Sequence, residues 1–199
     1  MNILLTGEIQ TGKSTVIRKV TEKHPDWKIG GFITVKAPEG GKAPENWPDG
    51  QEFLPDAVYI CRAGRPVFSS DLGVVGDCGE FGFPKSFPEV FDRTGKKLVE
   101  DIEGYDLIIM DELGFMENEA KLFQEAVFKT LGSGVPVLGV LKKKESSFLN
   151  SVRSFPGVKV IEVTEDNRDA LAVSVGREIE ETVNRFRKKG FAGNKACKY

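Results

Sequence analysis

The sequence has a single histidine, three cysteines and no long apolar run, and each shortage argues against a class of protein. His24 precedes Pro25 near the predicted end of a helix, so neither a histidine-based metal site nor a Ser-His-Asp triad is expected. The cysteines, Cys61, Cys78 and Cys197, lie far apart and form no CxxC pair. This pattern argues against a disulfide framework or a thiolate metal site and fits a reducing compartment.

Membrane and nucleic-acid partners also lack support in the sequence. The N-terminal apolar run is interrupted by Gly7 and Glu8 before it reaches the length of a signal-peptide core, and no later run is long enough to span a membrane. The formal net charge is −2, so no basic field favours nucleic acid. We expect a soluble, cytoplasmic protein whose oligomeric state is open, with a monomer favoured. Its length predicts one domain over residues 1–189 and a flexible basic tail over residues 190–199.

The strongest motif is a phosphate-binding P-loop that comprises Gly7, Glu8, Ile9, Gln10, Thr11, Gly12, Lys13, Ser14 and Thr15. It follows a short apolar strand and precedes a segment with helical spacing, which is the context that a P-loop requires. Gly7 and Gly12 lack a Cβ, so backbone N–H groups can approach phosphate oxygens closely. We expect Lys13 to neutralise charge near the β- and γ-phosphates and the Ser14 hydroxyl to bind Mg²⁺. The motif therefore predicts nucleotide binding.

A second motif follows the apolar run at residues 107–110, which is typical of a strand buried on both faces of a parallel sheet. Asp111 ends this strand and can hold the water shell of Mg²⁺. Glu112 can orient or polarise a water for in-line attack on the γ-phosphate. Glu117 either supports this site or lies in the first turn of the next helix, where acids are favoured.

Strands and helices alternate along most of the chain, which predicts an α/β fold with a predominantly parallel sheet and helices on both faces. The predicted strands are 3–6, 29–35, 106–111, 135–141 and 158–163, and the predicted helices are 12–23, 87–102, 118–131, 146–153 and 169–188. The exception is an irregular region at 37–83, in which 57–62 and 66–69 predict an inserted β-hairpin. Residues 37–55 are either a functional lid or a variable loop. For the lysine run 142–144, a solvated loop is favoured over a phosphate-contacting lid.

Four motifs, taken in order, resemble those of the THEP1-type nucleoside-triphosphatase family. They are Gly7 to Thr15, Gly30-Gly31-Phe32 with Thr34, Asp111 to Glu117, and Val163-Thr164-Glu165-Asp166-Asn167-Arg168-Asp169. The resemblance spans about residues 1 to 175. It implies a RecA-like P-loop fold and Mg²⁺-dependent hydrolysis of ATP, GTP and other nucleoside triphosphates to the diphosphate. It also implies that Glu112 is the catalytic residue, assisted by Lys13, and that Asn167 and Arg168 take part in nucleotide recognition.

The sequence departs from the family pattern at three places. Phe115 stands where the family usually has a lysine, Glu8-Ile9-Gln10 replaces a Pro-Gly-rich loop centre, and residues 37–83 match poorly. Loss of a cation beside the γ-phosphate weakens the stabilisation of a phosphoryl-transfer transition state. An arginine for that role could come from Arg65, from Arg168 or from a neighbouring subunit.

Two other functions therefore stay open beside hydrolysis. One is a kinase that transfers the γ-phosphate to a small molecule or to a nucleic-acid end, with the acceptor held by residues 37–55. The other is a nucleotide-binding switch with vestigial hydrolysis.

Overall fold

The computed structural model describes residues 1–37, 42–45, 47–64, 71–77 and 85–195. Within these ranges the strands are β1 (Asn2–Thr6), β2 (Ile29–Lys36), β3 (Ala57–Arg62), β4 (Leu72–Asp77), β5 (Lys85–Ser86), β6 (Leu107–Leu113), β7 (Val137–Leu141) and β8 (Val158–Glu162). The α-helices are α1 (Lys13–Glu22), α2 (Pro88–Val90), α3 (Lys96–Glu100), α4 (Lys121–Gly132), α5 (Ser147–Arg153) and α6 (Arg168–Lys195), and a π-helical turn (Phe91–Gly95) joins α2 to α3.

The strands form one sheet in the order β5-β4-β3-β2-β6-β7-β1-β8. The pairs from β2 through β6, β7 and β1 to β8 are parallel, whereas β3, β4 and β5 extend the sheet through antiparallel pairs. The predicted α/β class with a mainly parallel sheet and an antiparallel insertion is therefore confirmed. The second strand of the predicted hairpin, residues 66–69, lies outside the described residues, and β3 pairs antiparallel with β4.

Helices cover both faces of the sheet, as expected. Alternate residues of β1 point to opposite sides, so Leu4 belongs to the core that contains Phe123 of α4, whereas Ile3 belongs to the core that contains Val16 of α1 and Ile179 of α6. Strands that are apolar on both faces are buried from both sides, which gives the parallel part of the sheet a hydrophobic core on each face.

The helical stretch predicted at 87–102 is present but contains a π-helical turn at its centre. Gly95 lies in this turn, and a Cβ there would lie 2.9 Å from the ring of Phe123. The glycine thus allows α3 to pack closely on α4. The last helix continues to Lys195, beyond its predicted end at Lys188 and into the segment predicted as a tail. Among the helices of the described ranges, none has both the length and the apolar character that crossing a membrane requires.

Candidate active site

The P-loop leaves the end of β1 and enters α1 through two glycines in the left-handed region, Gly7 at φ 143° and Gly12 at φ 94°. A Cβ on Gly7 would lie 2.3 Å from the carbonyl oxygen of Val163, and one on Gly12 would lie 2.3 Å from Cδ of Arg168. Gly7 therefore requires glycine for space as well as for conformation, whereas at Gly12 the positive φ is the main requirement because the side chain of Arg168 can shift. No side chain caps the start of α1, so its first N–H groups remain available to an anion.

Lys13, the first residue of α1, reaches back across the loop. Its ammonium donates to the carbonyl oxygens of Gly7 at 3.1 Å and Glu8 at 2.5 Å. Burial lowers the pKa of Lys13, while the carboxylates of Asp111 and Glu8 act in the opposite direction. A cation that has lost part of its hydration binds a phosphate more strongly than an exposed one. The ammonium of Lys13, the residue predicted to neutralise phosphate charge, thus lies inside the loop.

The centre of the P-loop faces solvent. Glu8 and Gln10 are exposed, Ile9 is 87% exposed, and Gln10 has a φ of 64°. The hydroxyl of Thr11 closes the turn by donating to the carbonyl of Glu8 at 3.0 Å, and Thr15 lies half-buried in the first turn of α1. The backbone of this segment forms the cradle, and the side chains at its centre are turned to solvent.

Ser14 and Asp111 come together, as the two motifs predicted. Asp111 lies in β6 opposite Ile33 of β2, and its half-buried side chain lies beside that of Ser14 at the same cavity. Burial raises the pKa of Asp111, which the nearby hydroxyl of Ser14 and the charge of Lys13 partly offset. A carboxylate beside a hydroxyl suits Mg²⁺, which prefers oxygen ligands and keeps several waters. The described residues contain no group of three or more His, Cys, Asp or Glu placed to hold a metal.

Glu112 follows Asp111 through a cis peptide bond at the same edge of the sheet. Its Oε1 lies 2.8 Å from Nζ of Lys142, the first residue after β7. No local pattern in the sequence indicates this contact. The available signal was topological, because β6 and β7 are parallel neighbours and the residues that follow them meet at one edge.

Glu117 lies in the turn between β6 and α4. Of the two positions predicted for it, the first turn of the helix is wrong, because α4 begins at Lys121. Its side chain is 2% exposed and accepts a hydrogen bond from the backbone N–H of Gly114. Burial raises the pKa of Glu117 to about 7. The Glu117 side chain closes the turn that carries Phe115 and so stabilises the segment that follows Glu112.

Asn167 and Arg168 lie where β8 passes into α6. The Asn167 amide shapes this turn by accepting from the Thr164 N–H at 2.8 Å and donating to the Glu162 carbonyl at 3.0 Å. Arg168 packs over Gly12, and its Nε is buried without a hydrogen bond among the described residues, although it lies 3.7 Å from the carboxylate of Asp169. A donor beside the P-loop that makes no hydrogen bond is a group that a phosphate could pair with. Arg65, the other candidate arginine, lies outside the described residues.

Comparison with known proteins agrees with this geometry. A family model described as NTPase matches residues 2–44 and 79–175, which together make up well over half of the chain, and leaves out much of the region predicted to diverge. The nucleoside-triphosphatase THEP1 of Thermofilum pendens is 30% identical over 189 residues, covering 92% of this chain and 98% of that protein.

Two solved structures share the fold. The crystal structure of THEP1 from Aquifex aeolicus has a TM-score of 0.64 at 20% identity and covers 88% of this chain and 96% of that one. The solution structure of a human cancer-related nucleoside triphosphatase has a TM-score of 0.68 at 21% identity, with coverage of 90% and 97%. The resemblance inferred from the four motifs is thus confirmed, and the chain belongs to the THEP1-type nucleoside-triphosphatase family.

Proposed function

We propose that the protein is a nucleoside triphosphatase that hydrolyses ATP, GTP and other nucleoside triphosphates to the diphosphate and phosphate with the help of Mg²⁺. The observation that carries this proposal is the convergence of the Ser14–Asp111 pair with Lys13 and Glu112 at one edge of the sheet. Phosphoryl transfer depends mainly on positioning and on charge stabilisation, and these residues supply both. The names of the THEP1 relatives support the same activity.

Each residue has a role that follows from its position. The P-loop N–H groups and Lys13 bind the β- and γ-phosphates. Ser14 and Asp111 would hold Mg²⁺, which when bound neutralises charge on the phosphate oxygens. Glu112 accepts a proton from a water whose oxygen bonds to the γ-phosphorus, while the bond from that phosphorus to the bridging oxygen breaks and the diphosphate leaves.

Asn167 and Arg168 contribute in different ways. The Asn167 amide is used within its own turn, so it holds the turn beside the bound nucleotide. Arg168 lies over Gly12, and its Nε is buried without a hydrogen bond among the described residues, its ion pair being a longer contact of 3.7 Å with Asp169; this makes the arginine the better candidate for direct contact with the phosphates. We therefore assign Arg168 to nucleotide contact and Asn167 to positioning the turn that carries Arg168.

Phosphate release from a panel of nucleoside triphosphates tests the proposal. Release should require Mg²⁺, stop on addition of EDTA, and fall with Lys13→Ala because nucleotide binding weakens. The surface variant Lys159→Met, which removes only an ion pair with Glu178, should behave as the wild type. Tight Mg²⁺-nucleotide binding without release by the wild type would contradict hydrolysis and favour a nucleotide-binding switch.

A second candidate function, transfer of the γ-phosphate to a small molecule, is favoured by a cavity of about 760 Å³ that opens beside Ser14 and Asp111. This volume is in the range of small-molecule sites. Apolar side chains form much of its wall: Ile17, Trp27, Ile29, Ile33 and Ile109. An acceptor hydroxyl placed there would replace water as the group that bonds to the γ-phosphorus.

An acceptor screen separates the two reactions. Transfer requires that loss of phosphate from ATP depends on an added small molecule and that this molecule gains the mass of a phosphoryl group. Thr21→Trp, which fills part of the cavity from α1, should block transfer and spare hydrolysis. Equal turnover with and without every acceptor would rule out transfer.

A further inference from the structure

We propose that Lys142, held by the ring of Phe115, is the positioning residue for Glu112, and that Lys142 and Lys144 together place positive charge around this ring beside the site. The proposal rests on the proposed hydrolysis of nucleoside triphosphates. It gives a function to part of a lysine run for which the sequence favoured a solvated loop.

The contacts of Lys142 are specific. Its Nζ lies 2.8 Å from Oε1 of Glu112 and 5.1 Å from the centre of the Phe115 ring. Nζ of Lys144 lies 4.4 Å from the centre of the same ring. Both ammonium groups are within the distance at which an aromatic ring attracts a cation. The ring of Phe115 thus contacts two lysines of the loop that follows β7, Lys142 and Lys144.

The loop that carries these lysines is held in place by the fold. The backbone N–H of Lys142 donates to the Leu113 carbonyl at 2.8 Å, which joins the end of β7 to the end of β6. The guanidinium of Arg153 donates to the carbonyls of Lys142 and Lys144 at 2.7 Å each. The positions of Lys142 beside Glu112 and of Lys144 beside Phe115 are therefore set by backbone contacts as well as by their own side chains.

Gly114 completes the arrangement. A Cβ at this position would lie 2.9 Å from Cδ of Lys142, so the absence of a side chain lets the lysine stem lie against the turn. The ammonium then binds one oxygen of Glu112 and leaves the second carboxylate oxygen for a water. Restricting a general base to one orientation favours the geometry of attack, and small displacements of such a group are costly to the rate.

If the ion pair between Lys142 and Glu112 served only to stabilise the fold, its removal would lower stability and leave the rate of the chemical step unchanged. The side chains of Lys142 and Glu112 are 34% and 28% exposed, and pairs that retain this much contact with solvent contribute little to stability. Removal of the charge should therefore leave folding nearly intact. Its effect should fall on the chemical step, where the orientation of Glu112 matters.

The test compares Lys142→Met, Lys142→Arg and the double variant Phe115→Lys/Lys142→Met with the wild type in phosphate release from Mg²⁺-ATP. We expect Lys142→Met to lower kcat by about 10- to 100-fold with KM changed by less than about threefold, because Glu112 acts on the water rather than in binding. Lys142→Arg should keep most of the rate. The double variant should recover part of it, since a cation returns to the same place from position 115.

Melting temperatures and three distinguishable outcomes of the assay make the test decisive. Melting temperatures of the variants should lie within about 3 °C of the wild type, and Lys159→Met is the matched surface control. Equal kcat for the wild type and Lys142→Met would overturn the role of Lys142 while leaving hydrolysis intact. A loss in Lys142→Met that neither Lys142→Arg nor the double variant restores would overturn it as well. Absence of release by the wild type would instead contradict the proposed function on which this inference rests.

Discussion

At the residue scale, Glu117 differs from the other acids of the site because it is both buried and paired only with backbone groups. Its carboxyl accepts from the N–H of Gly114, and burial raises its pKa to about 7. A carboxyl whose pKa is higher in the folded than in the unfolded protein binds a proton that the unfolded chain releases. Stability that depends on this proton is present at acidic pH and is lost as the pH rises to about 7.

Glu117→Gln should remove this pH dependence. The glutamine amide oxygen can still accept from Gly114, but it cannot ionise. We expect the free energy of unfolding of the wild type to fall by about 2 kcal/mol between pH 5 and pH 7 relative to the variant, because the neutral form is favoured by burial. Denaturant unfolding at several pH values measures the difference. The exposed neighbour in Glu119→Gln should follow the wild type, and identical pH dependence in wild type and Glu117→Gln would refute the assignment.

At the scale of the elements, the pairing of β2 with β6 leaves no room for a side chain at Gly31. Its φ is 93°, and a Cβ there would lie 2.0 Å from the carbonyl oxygen of Ile109. Gly30 is also closely packed, because an added Cβ there would lie 2.8 Å from the ring of Tyr105. The contact at Gly31 sets the register that places Ile33 opposite Asp111, so it supports the active site from a distance.

Gly31→Ala should therefore destabilise the protein by about 3 kcal/mol or more, because the new methyl group meets a backbone atom that cannot move aside. Gly104→Ala is the matched control, since Gly104 has a φ of 75° but no atom within 4 Å of an added Cβ. That variant should lose only about 1 kcal/mol, the cost of the backbone conformation alone. Equal losses in chemical denaturation would show that the steric contact at Gly31 is unimportant.

The P-loop is also joined to the lysine run. Lys143 contacts the carboxylate of Glu8 at 3.0 Å and that of Glu162 at 2.8 Å. Lys143→Met should raise KM for Mg²⁺-ATP by about two- to fivefold at low salt, because the charge of Glu8 then repels the triphosphate. The effect should shrink in 0.5 M salt, and Glu8→Gln/Lys143→Met should return KM towards the wild-type value. A salt-independent change would contradict this electrostatic account.

At the scale of the whole molecule, the features that could be predicted from the sequence were those formed by a continuous stretch of residues. The P-loop and the apolar strand ending in Asp111 each carry a local pattern, and parallel topology brings them to one edge. The contact of Lys142 with Glu112 could not be found this way, because it depends on β7 pairing with β6. When two side chains are brought together only by the pairing of their strands, neither stretch of sequence shows a pattern that indicates the contact.

The central claim is that Glu112 activates the attacking water at this edge of the sheet, and Glu112→Gln measures it most directly. Phosphate release from pre-bound Mg²⁺-ATP in a single turnover should fall by at least about 100-fold, while the dissociation constant for the nucleotide stays within about threefold of the wild type. The exposed variant Glu119→Gln should release phosphate at the wild-type rate. Unchanged release by Glu112→Gln would contradict the account.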